Sequence, residues 1–106
     1  MIIYIDIDET ICYYKGERSY EKAIPIHKNI RIANDLYDQG NTIVYWTARG
    51  AVTGIDHTDL TKQQFKDWGV KYHELRLDKP YYDLFIDDRT LNSFDEKGRT
   101  RWDIKH

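Results

Sequence analysis

The chain has 106 residues, with 16 Lys and Arg against 18 Asp and Glu for a formal charge of -2. That length holds a single domain, residues 1–106, and no apolar run nears the ~20 residues of a membrane helix. The charge is near balance in both halves, which argues against a nucleic-acid or anionic-membrane partner, and the single cysteine, Cys12, excludes an internal disulfide or a Cys-based zinc site.

Met1 to Ile7 reads as a buried strand, a near-continuous β-favouring run of Ile2, Ile3, Tyr4, Ile5 and Ile7. The N-terminus has no basic start or cleavage site, so it is no signal peptide, and the expected compartment is a reducing cytoplasm. Residues 9 to 24 read as a loop or small β-excursion. Pro25 sits where a helix can begin, and Ile26, Ile30, Ala33, Leu36 and Tyr37 recur at helical spacing before Gly40. Thr42 to Thr47 is a second strand, and Ala48 to Asp56, with Gly50 and Gly54, a flexible loop. His57 to Trp68 reads as a second helix with Leu60, Phe65 and Trp68 on its apolar side and Gly69 at its end. Val70 to Leu75 is a weaker strand and Leu84 to Ile86 a fourth. The tail from Arg89 is polar, with Glu96 to Arg101 solvated and Trp102 and Ile104 suited to a docked segment.

Strands alternating with helices of this length predict an α/β fold: a parallel sheet with helices on both faces. Ligands of such sheets bind beyond the carboxyl ends of the strands. Those ends carry Asp6 and Asp8, then Thr47, then Asp87 and Asp88, with Lys79 ahead of the fourth strand. Clustered carboxylates repel one another and lose hydration unless a positive partner joins them. Oxygen donors without His or Cys suit Mg²⁺. A Lys and a hydroxyl beside them suit a phosphoryl group, whose oxygens share negative charge. One carboxylate could then attack phosphorus while another, two residues on, moves protons.

In that order the residues resemble the four motifs of the haloacid dehalogenase superfamily. Asp6-Ile7-Asp8-Glu9-Thr10 resembles the DxDxT first motif, Thr47 in IVYWTAR the second, Lys79 in DKPYYDLFIDD the third, and Asp87-Asp88 the fourth. The resemblance covers residues 1 to about 92 and implies a Rossmann-like core with a Mg²⁺-dependent phosphatase activity. It implies Asp6 as nucleophile and Asp8 as general acid/base. Asp6, the backbone carbonyl of Asp8, and Asp87 would bind Mg²⁺, with Asp88 supporting that shell. Thr47 and Lys79 would bind the phosphoryl group, and Thr10 would order the first loop.

Within the superfamily an Asp at position 8 points to phosphatases and phosphomutases, because dehalogenases lack an acid there and transport ATPases carry Thr. Only 36 residues lie between Thr10 and Thr47 and 31 between Thr47 and Lys79. Helix, strand and loop already occupy each interval, so no cap domain fits. Small capless members often form homo-oligomers, and one is expected here. The stretches TARG, GVKYHEL and DKPYYDLFIDDR resemble short members associated with capsular or surface-polysaccharide biosynthesis. The implied substrate is a sugar phosphate or related small phosphomonoester.

Arg49 is a candidate for a second anionic group of the substrate or, equally, a surface ion pair. Tyr13, Tyr14 and Lys15 follow the first motif and read as packing or solvent-facing residues, and Cys12 as filler. The four His have no metal spacing. A receiver domain would place its adjacent acids after the first strand, not last, and is excluded by that order. Two alternatives stay open: a phosphatase of nucleic-acid ends, disfavoured by the absence of a basic stripe, and a non-catalytic binding or regulatory protein of the same fold.

Overall fold

A computed structural model of the chain describes residues 1–93. The expectations for Glu96 to Arg101 and for Trp102 and Ile104 lie outside them. Strand β1 (Ile2–Ile5) pairs in parallel with β4 (Thr42–Trp46), and β4 pairs in parallel with β5 (Glu74–Arg76). Between β1 and β4 lie a two-residue hairpin, β2 (Cys12–Tyr13) with β3 (Ile24–Pro25), and helix α1 (His27–Asp38). Helix α2 (Thr58–Trp68) joins β4 to β5. A single-turn 3-10 helix, Tyr20–Lys22, lies inside the hairpin loop.

Side chains alternate across a strand, and the register pairs Ile3 with Ile43, Ile5 with Tyr45, and Tyr45 with Leu75. These residues share one core with Ile30, Ala33 and Leu36 of α1 and Phe65 and Trp68 of α2. Both helices therefore cover the same face. The reason is the strand order β1-β4-β5, which advances in one direction: two successive right-handed crossovers place their helices on one side. The opposite face carries Ile2 and Tyr4, which are exposed, and the Trp46 ring, which meets Tyr4 edge-on at 5.7 Å. Among the described residues the helices thus lie on one face, where helices on both were expected, although Val44, opposite Tyr4, is buried.

Element ends moved for local reasons. Pro25 pairs with Cys12 instead of opening the helix, and Ile26 N–H donates to the Ile11 carbonyl, so α1 starts at His27. Asp56, one residue before the N-cap His57, accepts from the Thr58 backbone N–H at 2.9 Å at the start of α2. Gly69 ends that helix in the left-handed conformation at φ 70°. The larger correction concerns Leu84 to Ile86, which form no strand; all three are exposed. No helix among the described residues is long and apolar enough to cross a membrane.

Candidate active site

β1 and β4 lie side by side and end together, and the chain beyond each end supplies the polar residues. Beyond β1 the backbone turns sharply: Thr10 and Ile11 N–H both donate to the Ile7 carbonyl. Glu9 is held at φ 63°, a conformation that costs a non-glycine residue energy and is kept only where surroundings enforce it. The Asn29 amide donates to the Thr10 carbonyl at 2.8 Å, and the Thr10 and Ser93 hydroxyls lie 3.3 Å apart. Thr10 thus belongs to the ordering of this loop.

Asp6 and Asp8 emerge from the turn two residues apart into different surroundings. Asp6 faces Lys79, with Nζ 3.6 Å from Oδ1. Lys79 is held there by its backbone N–H, which donates to the Thr47 carbonyl at 3.2 Å, and by the Trp46 and Tyr82 rings at 5.6 and 5.3 Å. Burial raises the Asp6 pKa; the charge of Lys79 opposes this without cancelling it, and Asp8 adds to the rise. Thr47 is buried at the end of β4, where its hydroxyl accepts from the Arg49 N–H at 3.2 Å.

Asp8 sits in a denser network. Arg49 Nε donates to Oδ2 at 3.2 Å and Nη2 to Oδ1 at 2.9 Å, a two-pronged ion pair. The Tyr14 hydroxyl donates to Oδ1 at 2.5 Å and the Cys12 thiol to the same oxygen at 3.4 Å. Burial pushes the Asp8 pKa up, but the hydrogen bonds and charge of Arg49, with those of Tyr14 and Cys12, bring it below the usual value. The Cys12 thiol is pushed up to about 12, first by burial and then by Asp8, so it is no thiolate nucleophile. Tyr14 is raised by the same causes.

Arg49 is corrected from the expected substrate contact. Its side chain has no exposed surface, and its remaining nitrogen, Nη1, donates to Thr61 Oγ1 at 3.1 Å and Gln64 Oε1 at 2.6 Å. The guanidinium also lies 4.9 Å from the Tyr20 ring centre. A group so placed faces protein, not solvent.

Asp87 and Asp88 are exposed and paired with each other, Asp87 lowered and Asp88 raised by the hydrogen bond between them. They follow Leu84 to Ile86, which form no strand, so they do not sit at a strand end. Among the described residues no three His, Cys, Asp or Glu side chains gather to hold a metal ion. The side chains of Asp6, Asp87 and Asp88 do not gather into such a group among the described residues, and the Asp8 carboxylate, which the resemblance leaves out of the metal shell in favour of the backbone carbonyl, is held by Arg49. The structure does bring together Asp6, Thr47 and Lys79, and it adds Tyr14, Thr61 and Gln64, none of them singled out as site residues. Thr61 and Gln64 carried one signal: polar residues three apart, flanking the apolar stripe of a helix.

No family model matches the sequence, and no curated protein matches it. Among solved structures, a structural-genomics target from Vibrio cholerae superposes with a TM-score of 0.76 at 24% identity, over 86% of this chain and 83% of that one. That likeness is one of fold. Fold and site define an α/β protein with a two-strand-end polar site, one carboxylate facing a lysine and the other locked to a buried arginine.

Proposed function

We propose that the chain is a phosphomonoester hydrolase of the haloacid dehalogenase type acting through an aspartyl-phosphate on Asp6. The observation that carries this reading is Asp6 facing Lys79 at 3.6 Å beside the Thr47 strand end. It offers an attacking carboxylate and a cation where a phosphoryl group spreads its negative charge. In the first half-reaction an Asp6 oxygen bonds to phosphorus, the ester P–O bond breaks, and the leaving oxygen takes a proton from Asp8. In the second, water attacks phosphorus and gives its proton to Asp8, and the bond to Asp6 breaks, returning its carboxylate and free phosphate. The Arg49 fork favours the carboxylate form of Asp8, the form the second half-reaction uses; to serve as general acid in the first, Asp8 must take up a proton against that preference.

Mg²⁺ belongs to this proposal through the sequence resemblance alone. Every step above is assigned to protein groups. The resemblance also supplies the substrate class, a sugar phosphate or related small metabolite of polysaccharide biosynthesis, and the expectations of a capless core and a homo-oligomer.

The test is phosphate release from p-nitrophenyl phosphate, a sugar-phosphate panel and a 5′-phosphorylated oligonucleotide, with Mg²⁺ and after EDTA. Turnover abolished in Asp6→Asn and strongly reduced in Asp8→Asn, both checked for folding by circular dichroism, supports the reading. No turnover on any substrate with Mg²⁺ ends the enzyme reading and leaves a non-catalytic protein. Full activity in Asp6→Asn ends the mechanism.

A further inference from the structure

The Arg49 network has more order than an ion pair needs. The Thr61 hydroxyl donates to the His57 carbonyl at 2.7 Å, so its lone pairs are free to accept from Arg49. The Gln64 amide nitrogen donates to the Tyr20 carbonyl at 2.6 Å, which turns its oxygen toward Arg49. α2 and the 3-10 turn therefore hold the guanidinium, and the guanidinium holds Asp8 in its fork. The two carboxylate oxygens are loaded unequally. Oδ1 accepts from Arg49, Tyr14 and Cys12, whereas Oδ2 accepts from Arg49 Nε among the described residues.

We propose that Arg49 is a positioning residue for catalysis: with Tyr14 it occupies Oδ1 of Asp8 and fixes the carboxylate plane, so that Oδ2 is the oxygen that takes the proton from attacking water. This rests on the assignment of Asp6 and Asp8 made above. The planar fork is essential to the argument. Turning the carboxylate about its own bond breaks both prongs at once, and a lysine ammonium in place of the guanidinium keeps the charge but makes no fork.

The step affected is the second half-reaction: water oxygen bonds to phosphorus, its proton passes to Asp8 Oδ2, and the electron pair of the P–O bond returns to Asp6. With p-nitrophenyl phosphate the leaving group departs without help from an acid, so kcat/KM reports attack by Asp6 and kcat can report the water step. In Arg49→Lys, kcat is expected to fall about tenfold or more, a part of the ~10²–10⁴ that general acid–base catalysis contributes. Under the same conditions kcat/KM stays within about threefold of wild type, and a burst of nearly one p-nitrophenolate per enzyme appears as the aspartyl-phosphate accumulates. Tyr14→Phe, which removes one hydroxyl and keeps the ring, shifts both quantities the same way by less and covers the case in which Arg49→Lys does not fold. Equal loss of kcat and kcat/KM in the variants, the mark of a merely structural role, overturns the inference, as does wild-type behaviour in both. An inactive wild type instead overturns the proposed function.

Discussion

Truncating Asp8 to alanine strands a positive charge inside the protein. Asp8→Ala removes the prongs at 3.2 and 2.9 Å and leaves Arg49, with no exposed side-chain surface, its bonds to Thr61 and Gln64 and the Tyr20 face but no counter-charge. Removing one member of a buried pair costs about 3–5 kcal/mol. Against a total of roughly 5–15 kcal/mol that is a large share. At about 4–8 °C per kcal/mol for a domain of this size, Tm falls by at least about 12 °C. Arg49→Met costs less, because the Asp8 side chain it leaves is 10% exposed and keeps Tyr14 and Cys12. The double variant recovers much of the Asp8→Ala loss, since no buried charge remains. Urea unfolding followed by far-UV circular dichroism at pH 7, with a common m-value, measures all four corners of the cycle. The folded pKa of Asp8 lies below its unfolded value near 3.8. Its stabilisation is therefore present above that pH and fades as pH falls through the folded pKa, and the gap between wild type and Asp8→Ala narrows with it. An Asp8→Ala cost under about 1 kcal/mol, or strictly additive costs in the cycle, refutes the reasoning.

Three further outcomes follow from the same structure. In metal-free buffer Asp6→Asn is more stable than wild type at neutral pH and equal to it in acid: burial raises the folded pKa of Asp6, so wild type loses stability as pH rises through the unfolded and then the folded value; urea midpoints at several pH values read this. Tyr45 is fully buried with its hydroxyl unpartnered among the described residues, so Tyr45→Phe raises stability by about 1 kcal/mol, measured by thermal unfolding. Gly50 has φ +85°, and a Cβ there would lie 2.1 Å from the Ile55 carbonyl oxygen. Gly50→Ala therefore costs at least about 1–2 kcal/mol and must shift the loop behind Arg49, seen as a lower Tm and altered amide shifts in residues 48–56.

The elements were legible where hydrophobic periodicity and end signals agreed. Ile30, Ala33 and Leu36 lie buried on α1 as their spacing requires, and Gly69 closes α2. Pro25 misled because its fixed φ suits a helix start and an edge strand alike, and pairing with Cys12 decided the matter. In the site, Asp6 and Thr47 were readable as strand-end residues and Lys79 as a residue ahead of an expected strand, but the partner of Asp8 was not. Asp8 and Arg49 are 41 residues apart, and nothing local to Arg49 says that its chain turns inward. Burial of an arginine depends on acceptors from several elements meeting around it, here Asp8, Thr61 and Gln64, and that convergence is a property of packing.

Asp87 and Asp88 expose a different limit. Alternating strands and helices fix the hand of each crossover but leave open the side of β1 on which later strands add. In a sheet ordered β1-β4-β5 every addition goes the same way, so both helices share a face and β1 is an edge among the described residues. A doubly wound sheet requires the chain to return past β1, and that return creates the crevice where ligands bind. Leu84 to Ile86 have the apolar character of a strand but remain exposed, as do Ile2 and Tyr4 on β1. The two acids after that run consequently have no strand end to occupy. An apolar run followed by acids specifies a strand with a site at its end only together with a neighbour to pair with. Asp6 has one, because β1 and β4 hold each other through four paired positions, and this is why Asp6 is the acid that meets Lys79.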